Sequence, residues 1–168
     1  IEKVVEADTS NLFDDIMSQL NEIDINKDEF LVAEQILGNL DDRGFLPIEP
    51  ILIADRLGFE ESFIHKVKNK IQSLDPPGIG SESIQDCILA QLKKYYPEDS
   101  KSIKIISNFF DEFSNHKYDL IAKKMNCDKE LVFETVEKVS VLNPVPAVNY
   151  STEVVNHIIP DIVIENIN

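Results

Sequence analysis

The chain has 168 residues, 43% of them hydrophobic, so it is long enough for one domain or two small subdomains with a real core. Its 31 acidic and 16 basic residues give a formal net charge of −15, which repels the phosphates of duplex DNA and favours a protein partner with basic patches. No apolar run approaches the roughly 20 residues of a membrane span and no signal-peptide pattern opens the chain, so we expect a cytoplasmic protein.

Amphipathic helical patterns begin near the start of the chain. Thr9 or Ser10 is placed to cap a first helix, because a side-chain oxygen there can accept an unpaired backbone N–H. Asn26 and Glu29 have the spacing of a capping box and predict the start of a second helix. Gly44 follows that helix and is free to adopt a positive φ, so we expect the chain to turn there.

A third and a fourth helix are predicted next. Pro50 suits the first turn of the third helix, where its missing N–H costs nothing, and Gly58 ends that helix. Glu60 and Glu61 begin the fourth helix, because acidic side chains favour a helix N-terminus. The predicted buried face of the fourth helix consists of Phe63, Ile64, Val67, Ile71 and Leu74.

The second half begins with two more predicted helices. Ser81 or Ser83 caps a fifth helix that ends at Pro97, and Ser100 begins a sixth helix. The predicted inward side chains of these two helices are Ile84, Ile88, Gln91 or Leu92, Tyr95, Ile103, Ile106, Phe110 and Phe113.

A helix-turn-helix pattern occurs twice in the sequence. Residues 53–76 match residues 121–144 at a constant offset of 68, and both segments end in Leu-x-Pro. Apolar positions coincide along the two segments, so a second helix pair is expected over residues 117–126 and 128–142.

Two interpretations of this repeat stay open, a DNA reader and a compact unit of a protein-binding surface. The fourth helix carries Lys66, Lys68 and Lys70, which could approach phosphate, but Glu60 and Glu61 stand at its N-terminus. The charge favours the second interpretation. The alternatives to it are a helix-turn-helix DNA-binding transcriptional regulator and a non-enzymatic helical adaptor.

No residue cluster in the sequence predicts catalysis, a metal site or a cofactor. The stretch 24–28 resembles the start of a calcium loop, but Glu29 and Gln35 occupy the positions that need glycine and a bidentate glutamate. We interpret it as a helix-capping linker. The three histidines lack the spacing of metal ligands. Cys87 and Cys127 lie in helical patterns and are interpreted as reduced thiols.

The most specific pattern is Leu74-Asp75-Pro76-Pro77-Gly78-Ile79-Gly80, followed by Ser81-Glu82 and by Asp86-Cys87-Ile88. It resembles the hallmark of the sigma-54 family of bacterial RNA polymerase sigma factors, which reads Leu-Asp-Pro-x-Gly-(Val/Ile)-Gly-Ala-Arg and then Glu-Cys-Leu. Residues 36–46, 142–146 and 159–163 resemble further patterns of this family, in the same order. Two departures are Ser81-Glu82 in place of the usual Ala-Arg, which reverses a charge, and Ala147 in place of a usual Gly.

The resemblance implies the core-binding region of an enhancer-dependent sigma factor. Such a region is not an enzyme, needs no cofactor, and binds core RNA polymerase for transcription initiation in the bacterial cytoplasm. In the full-length family member, the further partners are promoter DNA and an ATP-dependent enhancer-binding activator. The activator-responsive N-terminal segment and the C-terminal DNA-reading motif of the family are not expected within these 168 residues.

We therefore expect an all-α fold with two small helical-bundle subdomains, helix-turn-helix-like repeats and a short strand-like tail at residues 162–164. The first subdomain is predicted over residues 1–97 and the second over 98–146. Residues 147–168 are predicted to be a linker toward a C-terminal DNA-binding region. A division near residues 75–82 is the alternative.

The predicted contacts with the polymerase are charged side chains in turns and at a helix start, since turns display their side chains outward. These candidates are Asp41, Asp42, Arg43, Glu60, Glu61 and Glu82. The hallmark Leu74–Gly80 is predicted to be a rigid joint, because its two prolines restrict φ and its two glycines permit a sharp reversal. We expect the chain to be a monomer.

Overall fold

The computed structural model describes residues 11–150, and these residues form an all-α architecture. Nine helices lie within this range: α1 (Leu12–Glu22), α2 (Lys27–Gly38), α3 (Pro50–Leu57), α4 (Glu61–Gln72), α5 (Ile84–Tyr95), α6 (Ser100–Asn108), α7 (Phe110–Ser114), α8 (Tyr118–Met125) and α9 (Lys129–Ser140). The predicted all-α class is confirmed. The predicted strand-like stretch at residues 162–164 lies outside the described residues.

The cap of α1 differs from the prediction. Asn11 occupies the N-cap position, and its side-chain oxygen accepts a hydrogen bond from the Phe13 N–H over 3.1 Å. The prediction of Thr9 or Ser10 as the cap was wrong, because the residue directly before the first helical residue, Leu12, is Asn11. Asparagine caps a helix as well as serine does, and the sequence analysis overlooked it.

The next helix boundaries follow the predicted caps. Asn26 and Glu29 form the capping box of α2, with side-chain to backbone hydrogen bonds of 2.9 and 3.1 Å in the two directions. The interpretation of residues 24–28 as a capping linker is therefore confirmed. Pro50 is the first residue of α3, and Gly58 ends that helix with φ of +73°.

The repeated helix pair is present in both halves of the chain. α3 and α4 form the first pair, and α8 and α9 form the second. The first turn uses Gly58, whereas the second uses Asn126 with φ of +49°, a conformation that asparagine tolerates better than most residues. Cys127 lies in this second turn. The prediction that it lies in a helix was therefore wrong.

The buried face of α5 is narrower than predicted. Its buried side chains include Cys87, Ile88 and Leu92, whereas Ile84 and Tyr95 at the two ends are 47% and 52% exposed. The prediction that these two residues point inward was wrong, because the first and last turns of the helix extend beyond the core.

The predicted sixth helix is broken at Phe109, whose φ and ψ of −133° and 30° are not helical. α6 ends before this residue and α7 begins after it. Successive residues of a straight helix point about 100° apart. The break therefore allows Phe109 and Phe110 both to pack against the same core.

Two clusters of buried side chains form the interior. The first cluster lies among α1–α4 and also takes in Ile79 and Ala147. The second lies among α5–α9, and its buried members are Ile88, Leu92, Ile105, Ile106, Ile121, Ala122 and Val132. This distribution favours a division of subdomains near residues 75–82 over one after Pro97. The subdomain boundary itself stays a prediction.

Candidate protein-binding site at the junction of three motifs

The turn after α2 is held together by the carboxylate of Asp41. Its Oδ1 atom accepts hydrogen bonds from the N–H groups of Phe45 and Arg43 over 2.8 and 3.0 Å. The Asp41 N–H donates to the Phe45 carbonyl over 2.8 Å, and Gly44 reverses the chain with φ of +88°. Asp41 is therefore a structural residue of this turn, and not simply an outward charge.

The hallmark Leu74–Gly80 forms the joint between the two core clusters. Leu74 and Ile79 are buried in the first cluster. Gly78 has φ of +90° and lies against α5, where a Cβ atom would come within 2.5 Å of Cys87 Sγ. Only glycine fits this position without a shift of the buried cysteine. The Asp75–Pro76 peptide bond is cis.

The turn after α2 and the hallmark joint are directly hydrogen-bonded to each other. Gly80 donates its N–H to the Gly44 carbonyl over 2.9 Å, and Leu46 donates to the Ser81 carbonyl over 2.9 Å. Phe45 and Ser81 form an isolated parallel bridge. Two motifs that are well separated in the sequence thus form one structural unit.

The Leu-Asn-Pro-Val-Pro segment after α9 completes this junction. Ala147 is 1% exposed and donates its N–H to the Arg43 carbonyl over 3.0 Å. Asn143 exchanges two hydrogen bonds with the buried side chain of Gln91, of 2.6 and 2.9 Å. Leu142 of this segment packs against the second core cluster, and Ala147, directly after it, belongs to the first. All three motifs therefore meet at one place in the fold.

The three lysines of α4 that could have approached phosphate are paired internally. Lys66 and Lys70 lie 2.8 and 2.9 Å from the buried carboxylate of Glu29, and Lys68 pairs with Glu82. Hydrogen bonds from Lys66 and then Lys70 lower the pKa of Glu29 to about 2. All three ammonium groups already have a carboxylate partner, although the Lys66 side chain is 60% exposed. This pairing argues against α4 as a DNA-reading helix.

Comparison with known proteins identifies the family. The family model described as "Sigma-54 factor, core binding domain" matches residues 1–168. The chain belongs to the sigma-54 factor family. Within that family, it corresponds to the core binding domain.

Relatives and a solved structure agree with this assignment. The chain is 30% identical over 163 residues to the RNA polymerase sigma-54 factor of Vibrio anguillarum, covering 92% of the chain and 33% of the relative. It is 27% identical over 168 residues to that of Escherichia coli strain K12, covering 95% and 35%. The chain thus spans about a third of the length of these curated relatives. The structure titled "Structure of the Core Binding Domain of sigma54" aligns with a TM-score of 0.52 at 22% identity, covering 79% of this chain and 90% of the other, and supports the fold.

The charge of this sigma-54 core binding domain is unevenly distributed. Residues 11–80 contain 14 acidic and 6 basic residues, a net charge of −8, whereas residues 81–150 contain 11 and 9, a net charge of −2. The acidic character therefore lies mainly with α1–α4 and their turns. Sequence composition alone could have revealed this difference once the joint was located.

The six candidate contacts lie on three elements of the domain. Asp42 and Arg43 are exposed in the turn after α2, with the Arg43 guanidinium 5.1 Å from the centre of the Phe45 ring. Glu60 and Glu61 are exposed at the start of α4. Arg43 also lies 3.5 Å from Asp41, and Glu61 lies 3.4 Å from His65. Asp41 holds the turn, and Glu82 is exposed but pairs with Lys68.

The described part of this sigma-54 core binding domain lacks a membrane-spanning helix and a cluster of metal ligands. Within residues 11–150, no helix is long and apolar enough to cross a membrane. The same residues contain no group of three or more side chains suited to hold a metal ion. Burial raises the pKa of the Cys87 thiol to about 11, so this cysteine is a poor nucleophile at neutral pH.

Proposed function

We propose that this chain docks on core RNA polymerase as the polymerase-binding part of an alternative, enhancer-dependent sigma factor. The match of the core-binding-domain family over residues 1–168 carries the proposal. The relatives are named RNA polymerase sigma-54 factors, and the domain would supply the docking step of transcription initiation in the bacterial cytoplasm.

The docking contacts proposed here are exposed acidic side chains in the turns and helix starts of α1–α4. Asp42, Glu60 and Glu61 are exposed and belong to the half of the chain with a net charge of −8. An acidic patch accelerates encounter with a basic patch on a partner and discriminates against acidic partners. Arg43 stays a candidate contact beside Asp42, whereas Asp41 would act by holding the turn.

The domain would contribute binding to the holoenzyme and no chemistry of its own. In the whole protein, promoter DNA and an ATP-dependent activator would be bound by other regions. The internal pairing of Lys66, Lys68 and Lys70 supports this division, because it removes the basic residues that a DNA-reading α4 would need. A docking domain with this charge would lie beside DNA without binding it indiscriminately.

Binding of the immobilised 168-residue chain to bacterial core RNA polymerase tests the proposal directly. We expect saturable binding at low salt, without promoter DNA or activator. A full-length sigma-54 factor should compete, because it would occupy the same polymerase surface. Absence of binding at low salt, with a folded chain by circular dichroism, would reject the proposed function.

A further inference from the structure

A buried lysine lies between two carboxylates at the joint of the two core clusters. Lys68 Nζ is 2.5 Å from Glu82 Oε1 and 3.1 Å from Asp86 Oδ2, and the lysine side chain is only 7% exposed. A buried cation is costly unless it is paired. Lys68 therefore depends on both carboxylates, of which Glu82 follows the hallmark joint and Asp86 lies in the first turn of α5.

The polar network around Lys68 connects α4 to the start of α5. Gln72, one turn after Lys68, is also buried and donates to Asp86 Oδ2 over 2.9 Å and to Ser81 Oγ over 2.8 Å. Asp86 lies in the first turn of α5, and its Oδ2 also accepts the Glu82 N–H over 3.2 Å. The Oδ2 atom of Asp86 thus accepts hydrogen bonds from residues on both sides of the joint.

This polar network explains why position 82 is a glutamate in this chain. Position 82 is one of the two departures from the resembled family pattern, with glutamate in place of the usual arginine, and Asp86 follows four positions later. Here both positions are acidic, and the positive charge comes from α4 through Lys68. An arginine at position 82 would place a second cation against the buried ammonium group.

We infer that Lys68, Glu82 and Asp86 form an ion-pair latch that sets the orientation of the second core cluster relative to the first. In this latch Lys68 supplies the cation that the family pattern places at position 82. Glu82 is then a positioning residue of the joint. The consequence for polymerase binding rests on the proposed function, whereas the latch itself does not.

The latch is tested by moving its positive charge from position 68 to position 82. Glu82→Arg alone sets two cations at the joint, and Lys68→Met alone leaves two carboxylates without their cation. The double variant combines Arg at position 82 with Asp86 and removes the buried ammonium, so it should restore the orientation. Glu98→Arg makes the same charge change at an exposed glutamate without a side-chain partner among residues 11–150 and is the matched control.

The orientation is measured as a distance between spin labels in the full 168-residue chain. Labels at Asp55→Cys and Lys123→Cys, both exposed and on opposite clusters, are introduced with Cys127→Ser, while the buried Cys87 is retained. We expect a narrow distance distribution in the parent and in the Glu98→Arg control. Each single latch variant should shift or broaden it, and the double variant should recover it. A parent-like distribution in Glu82→Arg would overturn the latch.

Polymerase affinity provides the second readout. Coupling between contacting charges should make each single variant bind roughly fivefold more weakly, and the double variant should return to within about twofold of the parent. A double variant that binds no better than the weaker single variant would contradict the latch.

If Glu82→Arg fails to fold, the double variant decides alone: a parent-like distance supports the latch and misfolding overturns it. If the parent does not bind polymerase, the proposed function fails, but the distance measurement still decides the latch.

Discussion

Gly80 donates its backbone N–H to the carbonyl oxygen of Gly44 over 2.9 Å, and this bond joins the turn after α2 to the hallmark joint. Both glycines have positive φ, of +79° and +88°. A Cβ atom on Gly44 would lie 2.8 Å from Ile79 Cδ1 and 2.9 Å from the Cβ of Ala147. The three motifs therefore constrain one another sterically as well as by hydrogen bonds.

Gly44→Ala should destabilise the domain by about 2–4 kcal/mol, because it combines a left-handed backbone with overpacking against two buried side chains. Gly58→Ala is the matched control, since Gly58 has φ of +73° but open space around its Cβ direction. Its cost should be only about 1 kcal/mol. Urea unfolding measures both values. Equal losses in the two variants would show that the close packing at the junction is absent in solution.

Ile71→Ala should lower the free energy of unfolding by about 2–5 kcal/mol, because Ile71 is fully buried in the first core cluster. The matched exchange Ile84→Ala removes the same atoms from a side chain that is 47% exposed and should cost less than about half as much. Chemical denaturation monitored by circular dichroism gives both numbers. An unchanged midpoint in Ile71→Ala would mean that the buried face of α4 is wrongly assigned.

Stability should fall as the pH is lowered from about 5 toward 2, because two carboxylates have lowered pKa values in the folded state. Hydrogen bonds from Lys66 and Lys70 lower the pKa of Glu29 to about 2. Burial raises the pKa of Asp99, but hydrogen bonds from Lys138 and Ser102 outweigh it and lower the value to about 2. Such groups stabilise the fold above their unfolded pKa, and this contribution is lost as the pH falls through the folded pKa.

The acid dependence is tested with Glu29→Gln, which keeps the shape of the side chain but removes the titrating group. Unfolding free energies between pH 2 and 7 should fall less steeply in this variant than in the parent. Glu34→Gln removes an exposed carboxylate from the same helix without removing the ion pairs and should retain the parental slope. Identical slopes in all three proteins would contradict the role of Glu29.

Local patterns in the sequence were sufficient to predict most helices and several caps. The capping box of Asn26 and Glu29, and the helix start at Pro50, depend on neighbouring residues only, so the sequence specifies them directly. The break at Phe109 was missed because it depends on which core the two adjacent phenylalanines share. Periodicity within one segment carries no information about that packing.

The sequence predicted the separate motifs of the candidate site, but it did not predict that they contact one another. The sequence marked residues 36–46, 74–80 and 142–146 separately, and their meeting depends on long-range hydrogen bonds such as Gly80 to Gly44. The partner of Glu82 was equally hidden, because Lys68 looked like an ordinary surface lysine beside two others. Only the packing of α4 against α5 places this lysine between two carboxylates.

The chain alone should bind promoter duplex poorly at physiological salt. Its net charge is −15, and the lysines of α4 are bound to internal carboxylates. A mobility-shift assay should show weak binding that is independent of sequence and disappears as salt increases. Tight, sequence-selective binding under these conditions would contradict the assignment of the helix pairs as structural units.

Reversal of the exposed acids on the first core cluster should slow association with core RNA polymerase by roughly tenfold at low salt. The variant combines Asp42→Lys, Glu60→Lys and Glu61→Lys. Asp41 is left intact, because its carboxylate holds the turn and its replacement would confound binding with folding. The control reverses three exposed acids on α9 by the changes Glu130→Lys, Glu134→Lys and Glu137→Lys.

Association rates measured by surface plasmon resonance across a salt series decide whether these acids form the docking surface. Parental binding should weaken as salt rises, since screening shortens the range of the attraction to about 10 Å at 0.1 M ionic strength. The reversed variant should associate slowly and show little salt dependence, while the α9 control, with the same net charge, should stay close to the parent. A control that slows as much as the test variant would mean that only net charge matters. Unchanged association in the test variant would place the contact elsewhere on the domain and leave the family assignment intact.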